Sequence, residues 1–241
     1  MLGTISIARR FMGPEGTANG GYTCGVIASF ARGSVTVRLS KPVPLDTPLR
    51  VEQREDGLEV LHEGVPVAAA RPGEIGDLVP PRPPTLDEAA RASSRYAGFS
   101  RHPAPECFVC GPLRAEGDAL RIFAGPTDQA GVAAAPWTPD PSLEGQDGSV
   151  AAPFVWAALD CPGFAAAAPD MRPMLLGELT VRIDRAVRVG EPHVVVGWVI
   201  RASGRKHEAA TALFDARGGL HAVGRAIWIE PRERGGLGSP A

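Results

Sequence analysis

"GTANGGYTCGVIASF" (residues 16–30) reads as a helix with almost no bulk on it, because Gly20, Gly21, Gly25, Ala18 and Ala28 leave only Tyr22, Val26, Ile27 and Phe30 as large groups. A helix that is apolar all round belongs inside a core. Each glycine costs such a helix about 1 kcal/mol relative to alanine, and what it permits is close approach by a neighbouring backbone. The stretch therefore demands a layer of structure that wraps it.

The wrapping material follows directly. Residues 35–48, "VTVRLSKPVPLDTP", and residues 179–192, "LTVRIDRAVRVGEP", share five identities over fourteen positions at an interval of 144 residues. In both copies Val35, Val37, Leu39 and Leu179, Val181, Ile183 alternate with Arg38 and Arg182, the period of a half-buried strand. Each strand also follows a small-residue helix. The second helix is "PFVWAALDCPGFAAAA" (153–168), with Pro153 suited to its first turn and Pro162 expected to kink it. Aligning the two helix starts, Asn19 against Ala151, sets Ala28 opposite Asp160. The other register, Asp147-Gly148 against Asn19-Gly20, would make Pro153 an interior residue.

Further strand-like runs follow in each half: 49–55 and 65–71 in the first, 193–200 and 208–229 in the second. They are punctuated by the turn dipeptides Asp56-Gly57, Glu63-Gly64, Ser203-Gly204 and Gly218-Gly219. That spacing is an antiparallel meander, hence an α+β fold. Residues 72–105 hold seven prolines, interrupted by a short helix whose Thr85 and Glu88 have capping-box spacing. The expected division is an N-terminal half (1–84), a linker with a short helix (85–105), a C-terminal half (106–230) and a flexible tail (231–241).

The 241 residues are 44% hydrophobic and 22% charged, with a formal net charge of -2. No basic run is present, which argues against nucleic acid or an anionic membrane surface as partner and for a small ligand. No apolar window is long enough to span a bilayer and the N-terminus has no signal-peptide pattern, so a cytoplasmic location is expected. The four cysteines read as free thiols. "CFVC" (107–110) has the spacing of half a zinc site, but no second pair exists and only His102 is near, so no metal is expected. There is no GxSxG nucleophile elbow and no glycine-rich phosphate loop ending in lysine.

"NGGY" (19–22), "CFVCGP" (107–112), "VWAALDCPG" (155–163) and "GRKHEAATALFDARGGLHAVGRAIWI" (204–229), taken in order, resemble a double-hotdog protein of the acyl-CoA thioesterase superfamily. The resemblance spans nearly the whole chain and implies two tandem hotdog folds, each an antiparallel sheet wrapped around a central helix. It also implies a site joining one half's helix N-terminus to a carboxylate on the other half's helix, with Coenzyme A along the seam. Thioester hydrolysis needs N–H donors for the carbonyl oxygen and a carboxylate to attack or activate water. Asp160, the only acidic residue in either helix, is the carboxylate implied, acting as base or nucleophile. Asn19 is a second catalytic candidate, although its side chain also fits a plain helix N-cap.

The backbone N–H groups of Gly21 and Tyr22 would form the oxyanion hole, while Gly20 lets Coenzyme A come close and Arg205 and Lys206 meet its phosphates. Coenzyme A enters only as part of the substrate, and no cofactor is implied. Fused hotdogs often pair again, so a homodimer is expected. The histidine-glycine-glycine form of the family motif is absent, as are the polar threonine and glutamine partners. Trp198 and Trp228 occupy the regions where those partners would be sought. A non-catalytic acyl-CoA binding protein is therefore the alternative. A hotdog dehydratase ranks third, since it needs an Asp/His pair ahead of the helix that neither half has.

Overall fold

The computed structural model describes residues 1–232, and the expected tail lies outside them from residue 233 onward. The first half contains β1 (Gly3–Ile5), α1 (Gly20–Ala28), β2 (Val35–Leu39), β3 (Leu49–Arg54), β4 (Gly57–His62) and β5 (Val65–Pro72). A linking helix, α2 (Leu86–Ser93), precedes the second half. That half contains β6 (Gly125–Pro126), β7 (Val132–Trp137), α3 (Ala152–Ala158), α4 (Cys161–Ala167), β8 (Leu175–Ile183), β9 (His193–Ser203), β10 (Lys206–Asp215) and β11 (Leu220–Ile229).

All the strands join one antiparallel sheet in the order β1-β3-β4-β5-β2-β8-β11-β10-β9-β7-β6. The halves meet where β2 pairs with β8, and Thr36 stands directly opposite Thr180, 144 residues away, with their hydroxyl oxygens 2.7 Å apart. The order of strands outward from that seam is the same on both sides: β2, β5, β4, β3, β1 against β8, β11, β10, β9, β7.

The loops entering the two helices are copies of one another. Gly13 N–H donates to Thr17 O at 2.9 Å and Gly145 N–H to Ser149 O at 2.8 Å, and Asn19 and Ala151 are the two N-caps. This is the register that sets Ala28 opposite Asp160. Asp147 and Gly148 lie instead in the preceding turn, at φ 56° and 68°. The interval is thus 132 residues at the helix starts (Asn19 to Ala151) and 144 at the strands (Thr36 to Thr180), so the second half carries twelve extra residues between them.

Two elements differ from the sequence expectation. Residues 57–62 form a full strand, β4, between turns that look contiguous in the sequence. β7 also lacks a strand signature, because "VAAAPW" is alanine-rich and holds a proline. Its pairing with β9 from Val132 to Trp137 makes it a strand.

Inward-facing Val37, Leu49, Val51, Val60, Leu179 and Leu213 bury the helices against the sheet. A second cluster lies on the outer face of the second half, where Ile75, Ala89 and Ala92 of the linking segment cover Val194, Val196, Ala212, Phe214 and Val223. α2 starts as its sequence suggests: Glu88 N–H donates to Thr85 Oγ1 at 3.2 Å, and Thr85 N–H donates to the Glu88 carboxylate at 2.7 Å. Among the described residues no helix is long and apolar enough to cross a membrane.

Candidate functional site at the helix seam

The glycine-rich face of α1 lies against the helix of the other half. A Cβ on Gly21 would fall 2.5 Å from Asp160 Cβ, and one on Gly25 would fall 2.6 Å from Pro153 Cα and 2.8 Å from Trp156 Cβ. Real Cβ atoms do not approach so closely, so these two glycines set the helix separation. The second helix is broken rather than kinked. α3 ends at Ala158 and α4 begins at Cys161, which puts Pro162 in the first turn of α4. Running the helix through would drive the proline ring into the carbonyl four residues back, so the chain stops before it. Thr211 Oγ1 donates to the freed Leu159 carbonyl at 2.8 Å.

That break places Asp160, 2% exposed, beside the N-terminus of α1. Gly21 N–H donates to Asp160 Oδ2 at 2.9 Å, and Asn19 Nδ2 donates to the same oxygen at 3.2 Å. The other oxygen, Oδ1, is buried with no hydrogen-bond partner among the described residues. Burial pushes the carboxyl up to about 7, against the hydrogen bonds from Gly21 and Asn19 that favour its ionised form. Asn19 is itself the N-cap of α1: its Oδ1 accepts from Tyr22 N–H at 2.9 Å. The N-cap role and a place beside Asp160 therefore coexist in one side chain.

These bonds alter the expected oxyanion hole. The N–H groups of Gly21 and Tyr22 already have acceptors, Asp160 and Asn19 respectively, because the capping geometry directs the first-turn N–H groups to those two side chains. The Tyr22 ring leaves the site altogether and stacks on Phe11 at 4.0 Å. The Gly20 N–H, by contrast, has no protein acceptor among the described residues.

Gly20 and Asp160 line a cavity of about 470 Å³ whose walls come from both halves, among them Leu39, Leu176, Phe164 and Trp228. The Trp228 indole nitrogen is buried without an acceptor. Asp160 Oδ1, the Trp228 indole N–H and the Gly20 N–H thus lack hydrogen-bond partners among the described residues, and all three belong to residues of the cavity wall. Arg205 stands at the cavity, its guanidinium donating to Glu230 O at 2.8 Å. Lys206, the first residue of β10, does not line it. Lys41, which has no motif around it to single it out, takes the second cationic position. Trp198 is likewise absent from the cavity wall and sits at the outer cluster.

Three thiols converge on the same wall. Cys107, Cys110 and Cys161 have their sulfurs all within 4.8 Å of one another, with Cys107 and Cys161 at 3.8 Å. The expectation of no metal rested on the want of a second cysteine pair, and the third thiol comes from α4, 51 residues after Cys110. His102 Nε2 lies 3.4 Å from Cys110 Sγ. Hydrogen bonds from the Cys110 and Cys161 thiols hold Cys107 well below the ordinary thiol range and push those two donors well above it.

No family model and no curated protein matches this sequence. Solved structures do. A protein described as a candidate thioesterase from Novosphingobium aromaticivorans superposes with a TM-score of 0.61 at 15% identity, over 95% of each chain. The tesB protein of Mycobacterium avium subspecies paratuberculosis gives 0.59 at 13% identity, over 95% of this chain and 92% of that one. A hot dog fold protein of unknown function from Alicyclobacillus acidocaldarius gives 0.57 at 10% identity over the same shares. The chain therefore has the α+β double-hotdog fold. At these identities the likeness speaks of fold, and what the site does has to be argued from its residues.

Proposed function

We propose that this protein hydrolyses an acyl- or aryl-CoA thioester in the cavity between its two hotdog halves. The reading is carried by the position of Asp160: a buried carboxylate of one half that lines the cavity, anchored through Oδ2 on the helix start of the other, with Oδ1 lacking a hydrogen-bond partner among the described residues. A buried polar atom without a partner costs about 1–3 kcal/mol, so a structural role alone leaves that oxygen unexplained. With a thioester bound, Asp160 Oδ1 takes a proton from the attacking water as the water oxygen adds to the carbonyl carbon. The Gly20 and Trp228 N–H groups, in place of those of Gly21 and Tyr22, receive the developing oxyanion. Collapse of the tetrahedral intermediate expels Coenzyme A as its thiolate. Asn19 holds the carboxylate in place. Lys41 and Arg205 meet the phosphates, and the mainly apolar wall receives the acyl group.

On this reading the partner is a small acyl-CoA rather than nucleic acid or membrane, Coenzyme A is part of the substrate rather than a cofactor, the compartment is the cytoplasm, and double hotdogs pair as a homodimer. The second reading, an acyl-CoA binding protein without turnover, is favoured by the engagement of the Gly21 and Tyr22 N–H groups inside the protein.

One experiment separates the two: thiol release measured over a panel of short, long and aromatic acyl-CoAs, with calorimetry on the same ligands. Asp160→Asn is expected to lower hydrolysis by about 10²-fold or more while retaining binding. Binding with no turnover in the wild type would establish the second reading, and no binding of any acyl-CoA would refute both. Lys41→Ala and Arg205→Ala should weaken binding, whereas Lys206→Ala should not.

A further inference from the structure

The thiol cluster is not used by the proposed hydrolysis. Its parts are held by separate constraints that agree in geometry. Cys107 and Cys110 sit on a tight turn in which Gly111 N–H donates to Cys107 O at 2.9 Å. A Cβ on Gly111 would stand 2.4 Å from Cys107 N and 2.5 Å from Pro105 O, so only glycine closes the turn. The strand-like bonds that follow, Leu120 N–H to Phe108 O at 2.9 Å and Ile122 N–H to Val109 O at 2.8 Å, clamp the residues between the two thiols. Cys161 arrives from the first turn of α4, whose start is fixed by Pro162.

Thiolates bound to one zinc ion at about 2.3 Å and tetrahedral angles lie about 3.8 Å apart. The Cys107–Cys161 separation is 3.8 Å, and all four cysteines of the chain are free.

The surrounding donors suit thiolates. Asn19 Nδ2 lies 3.6 Å from Cys107 Sγ. His102 Nδ1 accepts from Ala104 N–H at 2.9 Å. In the neutral ring this leaves the proton on Nε2, which donates it to Cys110 Sγ 3.4 Å away. His102 is therefore a hydrogen-bonding support for a thiolate, the place that outer partners of metal ligands occupy. All three cysteines line the cavity, so the side of the cluster away from the protein opens onto it.

We propose that Cys107, Cys110 and Cys161 form a three-thiolate site for a thiophilic divalent cation of the zinc class, with the fourth coordination position facing the cavity. Binding displaces the thiol protons still present and leaves three metal–sulfur bonds with no change of oxidation state. The proposal does not depend on the hydrolase reading, and each measurement below is independent of turnover.

The test uses the full chain, purified under reducing conditions. Its metal content is measured directly, and chelator-stripped protein is then titrated with Co²⁺ as the probe. One bound Co²⁺ per chain is expected, with an intense near-ultraviolet thiolate-to-cobalt charge-transfer band that Zn²⁺ abolishes. Cys161→Ser should remove about a third of that band, and His102→Gln should weaken affinity about 10–100-fold. Cys24→Ala, a buried thiol outside the cluster, should change nothing. If Cys161→Ser does not fold, the wild type still decides: a mercurial thiol reagent should release the bound metal as it consumes the three thiols. The proposal is overturned if reduced wild-type protein gives no charge-transfer band or if Cys24→Ala abolishes it.

Discussion

The two halves share strand order, helix-entry loop and N-cap position, yet they treat their central helices in opposite ways. α1 runs unbroken, with Asn19 capping it and glycine at the two positions where the other helix crosses. The second half has Ala151 at the cap with no side-chain bond, and its helix breaks at Asp160. The twelve residues it gained between helix start and strand provide the break, the first turn that carries Cys161, and the wall below the cavity. One half supplies a smooth helix start and the other a broken segment bearing polar groups. Only one of the two pseudo-equivalent positions has a carboxylate: Asp160 has Ala28 as its counterpart.

The outer faces differ as well, and here the largest effect is expected. Phe214, 4% exposed, lies on the outer face of the second half, in the cluster that the linking segment covers. The same face of the first half presents Arg50, Glu52 and Glu59 to solvent or partial solvent, with Glu59 accepting from Arg54 at 2.9 Å. Phe214→Ala should cost about 3–5 kcal/mol of stability in a denaturant titration. Glu59→Ala should leave the midpoint almost unmoved, since exposed ion pairs contribute little. Equal sensitivity on the two faces would mean that the linking segment does not cover the second half in solution.

A smaller effect distinguishes the two helices. Gly25→Ala places a methyl group 2.6 Å from the Pro153 backbone, which cannot yield, and should destabilise by about 1–3 kcal/mol. Gly163→Ala in α4 meets Trp228 Nε1 at 3.3 Å and side-chain carbons of Ala209 and Thr211 at 3.4 Å. Those contacts are tight but sit on side chains, and the helix gains about 1 kcal/mol from losing a glycine, so thermal melting should change little. A reversed ranking would show that α1 and α3 do not cross at Gly25.

Much of this architecture was legible because it is periodic. The strand repeat, the small-residue helices, the Thr85–Glu88 cap and the register of Asn19 against Ala151 all express local patterns. Asp160 stood out because a lone carboxylate in an apolar helix needs a partner. The sequence was silent where tertiary pairing decides. β7 is a strand because β9 lies beside it, and Cys161 joins Cys107 and Cys110 because a helix break turns it toward them. The engagement of the Gly21 N–H was hidden for the same reason, because its acceptor Asp160 comes from the other half, whereas the acceptor of the Tyr22 N–H is the local N-cap Asn19. Lys41 rather than Lys206 lines the cavity because the bend after β2 carries Lys41 there, a tertiary placement that no charge pattern reveals.

The smallest effect concerns the seam itself, where Thr36 and Thr180 face each other across β2 and β8 with hydroxyl oxygens 2.7 Å apart. Thr180 is 5% exposed, so a hydroxyl left there alone loses its partner without regaining full hydration. Thr36→Val or Thr180→Val should each cost about 1 kcal/mol, the lower end of the range for stranding one member of a buried pair. The double variant replaces both hydroxyls by methyl groups of similar shape, and it should cost less than the two singles combined. Denaturant titrations of all four proteins close the cycle, and a coupling of at least about 0.5 kcal/mol is expected for residues in contact. Additive losses would mean that each threonine acts through its own half, and that the pairing of β2 with β8 is held by the backbone ladder and the apolar layer beneath it rather than by this hydroxyl pair.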